Sequence, residues 1–237
     1  MSNLSGSTVS RKKKQAPNCF AAALVLALLG GFLGCTTIYV RTGVYHRVQK
    51  GETLTALARS YGVSVQDLAE INNIEDSTQV KPGDRLFVPR ARRRPATVKP
   101  LPKGTPEEKI VFERGRFVWP IRGRLTSRFG MRNGSRHDGI DIAARPGTDI
   151  RASADGRVVY SQRLRGYGNL ILLKHSDDFF TAYAHNSKNL VKKGRKVKKG
   201  QVIGKVGSTG HATGPHLHFE VRKGRAARNP LFFLPKV

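Results

Sequence analysis

Five side chains in the C-terminal half of this 237-residue chain are of the kinds that bind a metal and move a proton: His137, Asp141, His185, His216 and His218. His137 and Asp141 offer an imidazole and a carboxylate four positions apart. His216 and His218 offer two imidazoles on one face of a strand, because side chains alternate with a period of two. A hydrolytic zinc site takes two His and one carboxylate and leaves a fourth position open. Its ligand atoms must stand ~3.3 Å apart, given bonds of ~2 Å in a tetrahedron. Residues 137 and 141 of a straight strand would be about 13 Å apart, so the chain has to bend, and Asp138-Gly139 is a turn-forming pair. Ile140, Ile142 and the Arg145-Pro146-Gly147 turn favour a strand entry over a helix. The same ligand types suit non-haem iron, but two further imidazoles beside them favour hydrolysis.

The surrounding text carries a resemblance. Ser127-Arg128-Phe129-Gly130-Met131-Arg132, His137 to Asp141, Gly156-Arg157-Val158-Val159 and Tyr183-Ala184-His185 follow in order. Gly200-Gln201-Val202-Ile203-Gly204, Ser208-Thr209-Gly210 and Thr213-Gly214-Pro215-His216-Leu217-His218-Phe219-Glu220 continue it. Over residues 117–235 the chain resembles the lysostaphin/LytM-type zinc metallopeptidases, which cut peptide bridges in peptidoglycan. The resemblance implies a β-rich, mostly antiparallel metallopeptidase domain over 115–237. It also implies one Zn2+ held by His137, Asp141 and His218, with His185 and His216 lining the site. Such a zinc polarises a carbonyl and gives hydroxide near neutral pH. A neutral imidazole can take the water proton and pass it to the leaving amine. His216, two residues from a ligand, is the expected base, and His185 the expected hydrogen-bond donor to the oxyanion.

Plainer readings suit the other histidines. His175, in Leu173-Lys174-His175-Ser176, reads as a satisfied core residue, His211 as loop, and His46 belongs to a different domain. Glu220 shares a strand face with His218, so it could orient that ligand or form an ion pair with one of the many Arg and Lys residues.

Residues 45–89 form a second unit. Leu54, Leu57, Ala58 and Tyr61 have helical spacing, opened by Thr53 and closed by Gly62. Ser64 with Asp67 suits the cap of a second helix burying Val65, Leu68 and Ile71. His46-Arg47-Val48 and Arg85-Leu86-Phe87-Val88 can pair as strands. This order, with Val48-Gln49-Lys50-Gly51-Glu52-Thr53-Leu54, Asn72 and Lys81-Pro82-Gly83-Asp84, resembles a LysM module, a small βααβ unit. The resemblance implies binding to peptidoglycan glycan strands, with Gly51, Glu52, Thr53 and Lys81 framing the sugar groove. Taken singly, these side chains also suit turn and cap chemistry.

Arg11-Lys12-Lys13-Lys14 precedes an uncharged run that lasts until Arg41, apolar from Phe20 to Leu33. Residues 1–41 therefore read as an export and anchoring segment. Phe32-Leu33-Gly34-Cys35 resembles a lipobox, in which Cys35 would be lipidated; this reading is preferred over an uncleaved transmembrane anchor. In either case the positive-inside rule places the bulk outside the cytoplasm, in the periplasm or cell envelope. Cys19 and Cys35 are the only cysteines, so the exported part has no disulfide framework. Residues 90–114, rich in Arg, Lys and Pro, read as a basic linker, mostly an extended, self-repelling spacer.

The net charge is +27. With no nucleic-acid motif and an export signal, it fits nonspecific attraction to an anionic wall rather than specific nucleic-acid binding. The whole reads as an α+β, membrane-tethered peptidoglycan endopeptidase, with a D-alanyl-diaminopimelate bridge preferred over a glycine bridge as substrate. Lipoproteins of the same LysM-plus-LytM order include division proteins that have lost zinc ligands and activate separate amidases. Regulatory partners of that kind are a second expectation, and the intact ligand set here favours hydrolysis.

Overall fold

The computed structural model describes residues 43–236 apart from Lys103 and Asn133. The segment over residues 1–41 expected to act as an anchor, Cys35 included, lies outside the described residues. Among the described residues no helix is long and apolar enough to cross a membrane.

In the N-terminal module, strand β1 (Gly43–Arg47) pairs antiparallel with β2 (Arg85–Pro89), and helices α1 (Leu54–Tyr61) and α2 (Val65–Asn72) lie between them in sequence. The helix ends follow from local chemistry. Thr53 Oγ1 accepts the Ala56 amide and Ser64 Oγ the Asp67 amide, each satisfying a donor that the first turn leaves open. Gly62 and Asn73 then stop the helices in the left-handed conformation, with φ of 66° and 55°. Leu54, Leu57, Val65 and Leu68 bury their apolar sides against Val48, Leu86 and Val88.

The C-terminal module is an assembly of antiparallel strands, giving the expected α+β class. The main sheet runs β12 (Lys196–Val197), β8 (Gly156–Leu164), β9 (Gly168–Lys174), β10 (Phe179–Asn186), β14 (His216–Lys223), β6 (Ile140–Ala143), β3 (Arg124–Ser127), with β15 (Ala226–Arg228) also on β14. A smaller sheet orders β11 (Lys188–Asn189), β13 (Val202–Lys205) and β7 (Asp149–Arg151), and β4 (Gly130–Arg132) pairs with β5 (Ser135–His137). Its core gathers Phe117, Ile140, Ile150, Ile171, Tyr183, Ile203 and Phe219, which are all but fully buried.

The stretch after β2 is not the free spacer expected from its composition. Glu107 accepts hydrogen bonds from the Thr55 amide and hydroxyl at 3.2 and 2.6 Å. Gln66 exchanges two bonds with the backbone of Val111, at 3.0 and 2.9 Å. Phe112 stacks on Phe232 with ring centroids 4.6 Å apart. Residues 107–112 therefore strap the helices to the C-terminal module. Charge repulsion does not extend this part because its acidic and apolar residues find partners distant in sequence.

The modules also meet directly. Glu70 on α2 is 3% exposed and accepts bonds from the Arg228 guanidinium (Nε at 2.9 Å) and the Asn229 amide at 3.0 Å. Asn229 Nδ2 donates in return to the Glu70 carbonyl at 3.0 Å. Asn73 Nδ2 donates to the Phe129 carbonyl at 2.8 Å. Gly130 is needed there, because a Cβ would lie 2.4 Å from the Ile71 carbonyl oxygen. Ile71 and Phe87 join the same buried cluster as the C-terminal core.

Candidate metal centre

Strands β5, β6 and β14 bring the sequence-predicted ligands to one point. The bend at Asp138-Gly139 separates β5 from β6, as the spacing required. Gly139 is pressed so close to β14 that a Cβ would stand 2.4 Å from the Phe219 carbonyl oxygen. The β6–β14 register then sets Asp141 opposite His218. His137 Nε2 lies 3.1 Å from Asp141 Oδ1 and 3.1 Å from His218 Nδ1, and the last two are 2.9 Å apart. All three residues are buried.

That triangle fits zinc: its edges approach the ~3.3 Å of a tetrahedral site with ~2 Å bonds, and three donors leave one position open. The outward ring nitrogens support the fit. His137 Nδ1 faces the Arg128 carbonyl at 2.8 Å, which can only accept, so a proton stays there and Nε2 is the nitrogen left to bind a metal, which would displace the proton it shares with Asp141. His218 is arranged the other way round, with Nε2 3.1 Å from Glu220 Oε1 and Nδ1 facing inward. Asp141 Oδ2 receives the Arg132 guanidinium at 3.3 Å.

Glu220 answers both of the roles open to it at once. It is 2% exposed, holds His218 with one oxygen, accepts the Tyr167 hydroxyl at 2.9 Å and pairs with Arg222 at 2.8 Å. Burial works against its ionisation, but Arg222 and His218 bring its pKa down to about 2. Burial likewise opposes a charged His218, yet Asp141 and Glu220 raise it to about 9. Against the same burial cost, hydrogen bonds from His137 and His218 hold the Asp141 carboxyl well below the usual carboxylate range. Tyr167, Arg222 and Arg132 were not singled out in the sequence. Arg222 shares the period-two face of His218 and Glu220, which is a usable signal; Tyr167 has none nearby.

His185 and His216 stand beside the triangle, their ring centroids 4.8 Å apart. His216 Nε2 is 3.8 Å from Asp141 Oδ1, and its Nδ1 donates to the Gly214 carbonyl at 2.8 Å. His185 sits where the β9–β10 register slips, with φ of 63°. Bulges of this sort re-aim a side chain. Its Nδ1 donates to the Thr209 carbonyl at 2.7 Å. Burial above all lowers its pKa to about 4, so the ring is neutral at pH 7. In that neutral ring Nε2 accepts, so the oxyanion-donating role expected of His185 needs a proton that burial opposes.

Elsewhere, His175 is a buried residue with both nitrogens bonded, to the Asp155 carbonyl and Thr181 Oγ1, each at 2.7 Å. His211 is exposed. In the N-terminal module Gly51 turns the chain at φ 86°. Glu52 binds the Gln49 amide and His46 Nε2, both at 2.7 Å, so its side chain is committed to the loop. Thr53 caps α1, and exposed Lys81 bonds through its amide to Asp84 at 2.8 Å.

Comparison with known proteins finds relatives for both modules. The family model described as Peptidase family M23 aligns with residues 135–230, and that of the LysM domain with residues 46–89. The lipoprotein YgeR of Escherichia coli (strain K12) is 37% identical over 208 residues, 82% of this chain and 82% of that protein. The chain belongs to peptidase family M23. Another relative, Murein hydrolase activator NlpD of Escherichia coli (strain K12), is 50% identical over 119 residues, 50% of this chain and 31% of that protein. Among solved structures, a zinc containing peptidase from Vibrio cholerae is 35% identical, with a TM-score of 0.45 over 50% of this chain and 39% of that one. This M23 chain thus spans less than half the length of the latter two.

Proposed function

We propose that the protein is a zinc-dependent endopeptidase that cleaves cross-link peptides of peptidoglycan, held to the wall by its LysM module. The observation that carries this reading is the convergence of His137 Nε2, Asp141 Oδ1 and His218 Nδ1 to within 2.9–3.1 Å of one another, with the imidazoles of His185 and His216 beside them. Zinc held there would polarise a peptide carbonyl and make water nucleophilic near neutral pH. The chain's own residues supply the rest. His216, its Nδ1–H fixed by Gly214, presents Nε2 to take a proton from water and return it to the leaving amine. His185, equally fixed, keeps a second acceptor on the other side. The LysM module supplies peptidoglycan affinity, and a lipid on Cys35 in the exported chain would keep it at the envelope, as befits a relative of lipoproteins.

Metal analysis of the full chain at neutral pH should find about one zinc per molecule; none would sink the site. Incubation with purified sacculi, with and without chelator, should release cross-link cleavage products only in the zinc-loaded sample. A second reading, activation of a separate murein hydrolase such as an amidase, is favoured by the name of the relative Murein hydrolase activator NlpD. His216→Ala separates the two. Hydrolysis should fall by about 10²–10⁴-fold while zinc is retained, as loss of a general base predicts. Unchanged stimulation of an added amidase by the wild type and the variant, with no product from either alone, would establish the activator instead.

A further inference from the structure

The LysM module carries a basic cleft beside the loop expected to frame the sugar groove. A cavity of about 450 Å³ is lined by Tyr45, Arg47, Gly83, Arg85 and Arg94. Arg47 and Arg85 are directly opposite each other in the β1–β2 register. Like charges so placed destabilise a strand pair, and no carboxylate relieves them: among the described residues, the ion pairs of this region join Arg90 to Asp67 and His46 to Glu52. The Arg85 guanidinium instead lies 4.0 Å over the Tyr45 ring, which packs edge-on against Phe87. That stacking holds one planar donor fork at the cleft wall, the geometry suited to a carboxylate. Gly83 joins the cleft to Lys81 and Pro82, so an anion seated here would belong to the same ligand as a sugar bound by that loop.

We infer that this cleft reads a free carboxylate carried on the glycan itself, so that the module distinguishes strands whose muramyl sugars carry no stem peptide from neutral N-acetylglucosamine polymers. The inference rests on the glycan-binding reading of the LysM module. Arg47 and Arg85 would take the carboxylate as paired forks, with Arg94 closing the third side.

The test uses the full chain in neutral detergent, stripped of metal to prevent cleavage. It compares calorimetric binding of two soluble oligosaccharides of equal length. One is a neutral N-acetylglucosamine oligomer; the other alternates with muramyl sugars bearing free carboxylates. Wild type should prefer the carboxylate-bearing strand by about tenfold or more, as hydrogen bonds to a charged group imply. Arg47→Gln with Arg85→Gln should erase that preference and leave affinity for the neutral oligomer unchanged. Lys192→Gln with Lys193→Gln removes the same charge from an exposed turn of the catalytic module and should keep the preference. Equal losses in the two double variants would overturn the inference in favour of diffuse charge while leaving glycan binding intact. Binding of neither oligomer by wild type would remove the glycan reading and the inference with it.

Discussion

Glu70→Ala is expected to destabilise the protein by about 3 kcal/mol, the low end for one partner lost from a buried ion pair. The low end applies because the Arg228 side chain keeps 21% exposure and can recover water. Asn229, fully buried, loses the acceptor of its amide as well. Equilibrium unfolding in urea would measure the change as a lower midpoint. A shift below about 1 kcal/mol, the scale of an exposed pair, would mean that α2 is not seated on β15 in solution.

The second large effect falls on the metal. Glu220→Ala should weaken zinc binding by about 10–100-fold, because the carboxylate fixes which His218 nitrogen faces inward. It should also cost about 3 kcal/mol, since Arg222 loses the carboxylate it shares with His218 and the Tyr167 hydroxyl. Competition against a chromophoric chelator reads the affinity, and thermal or chemical unfolding of the metal-free protein reads the stability. Glu220→Gln retains an oxygen able to accept from His218 Nε2 and should lose less zinc affinity than the alanine variant. An alanine variant that binds zinc as wild type does would show that ring orientation is held by the backbone alone.

Much of this centre could be read from residue order. The Asp138-Gly139 bend and the two-residue spacing of His216 and His218 are local geometric statements, so they survive without knowledge of the fold. The same holds for the caps at Thr53, Ser64 and Gly62, each determined within a few residues. Glu70 marks where that kind of reading stops. It lies on a helix among polar neighbours and looks solvated, but its burial depends on Arg228 and Asn229, 158 and 159 positions away. The strap over 107–112 was hidden for the same reason: it ends a stretch that is basic and Pro-rich as a whole, and its partners Thr55, Gln66 and Phe232 lie in other elements. Tyr167 reaches Glu220 across the sheet, 53 positions apart. The sequence offered His185 for the same site, where its ring does lie beside His216, but not the Thr209 carbonyl of another loop that holds its Nδ1.

The seating of α2 against Phe129 and Asn229 has a further consequence for a chain that grips the wall. In the endopeptidase proposed above, two recognition surfaces joined by these contacts would act as the jaws of a calliper. A flexible leash would sample every cross-link within its reach, at an effective concentration falling smoothly with distance. A fixed offset instead presents only those peptides that leave the held strand at a matching distance and angle, and excludes nearer ones with the wrong bearing. Selection among chemically identical bonds would then arise from the lattice geometry of the substrate, with no added discrimination at His137, Asp141 and His218.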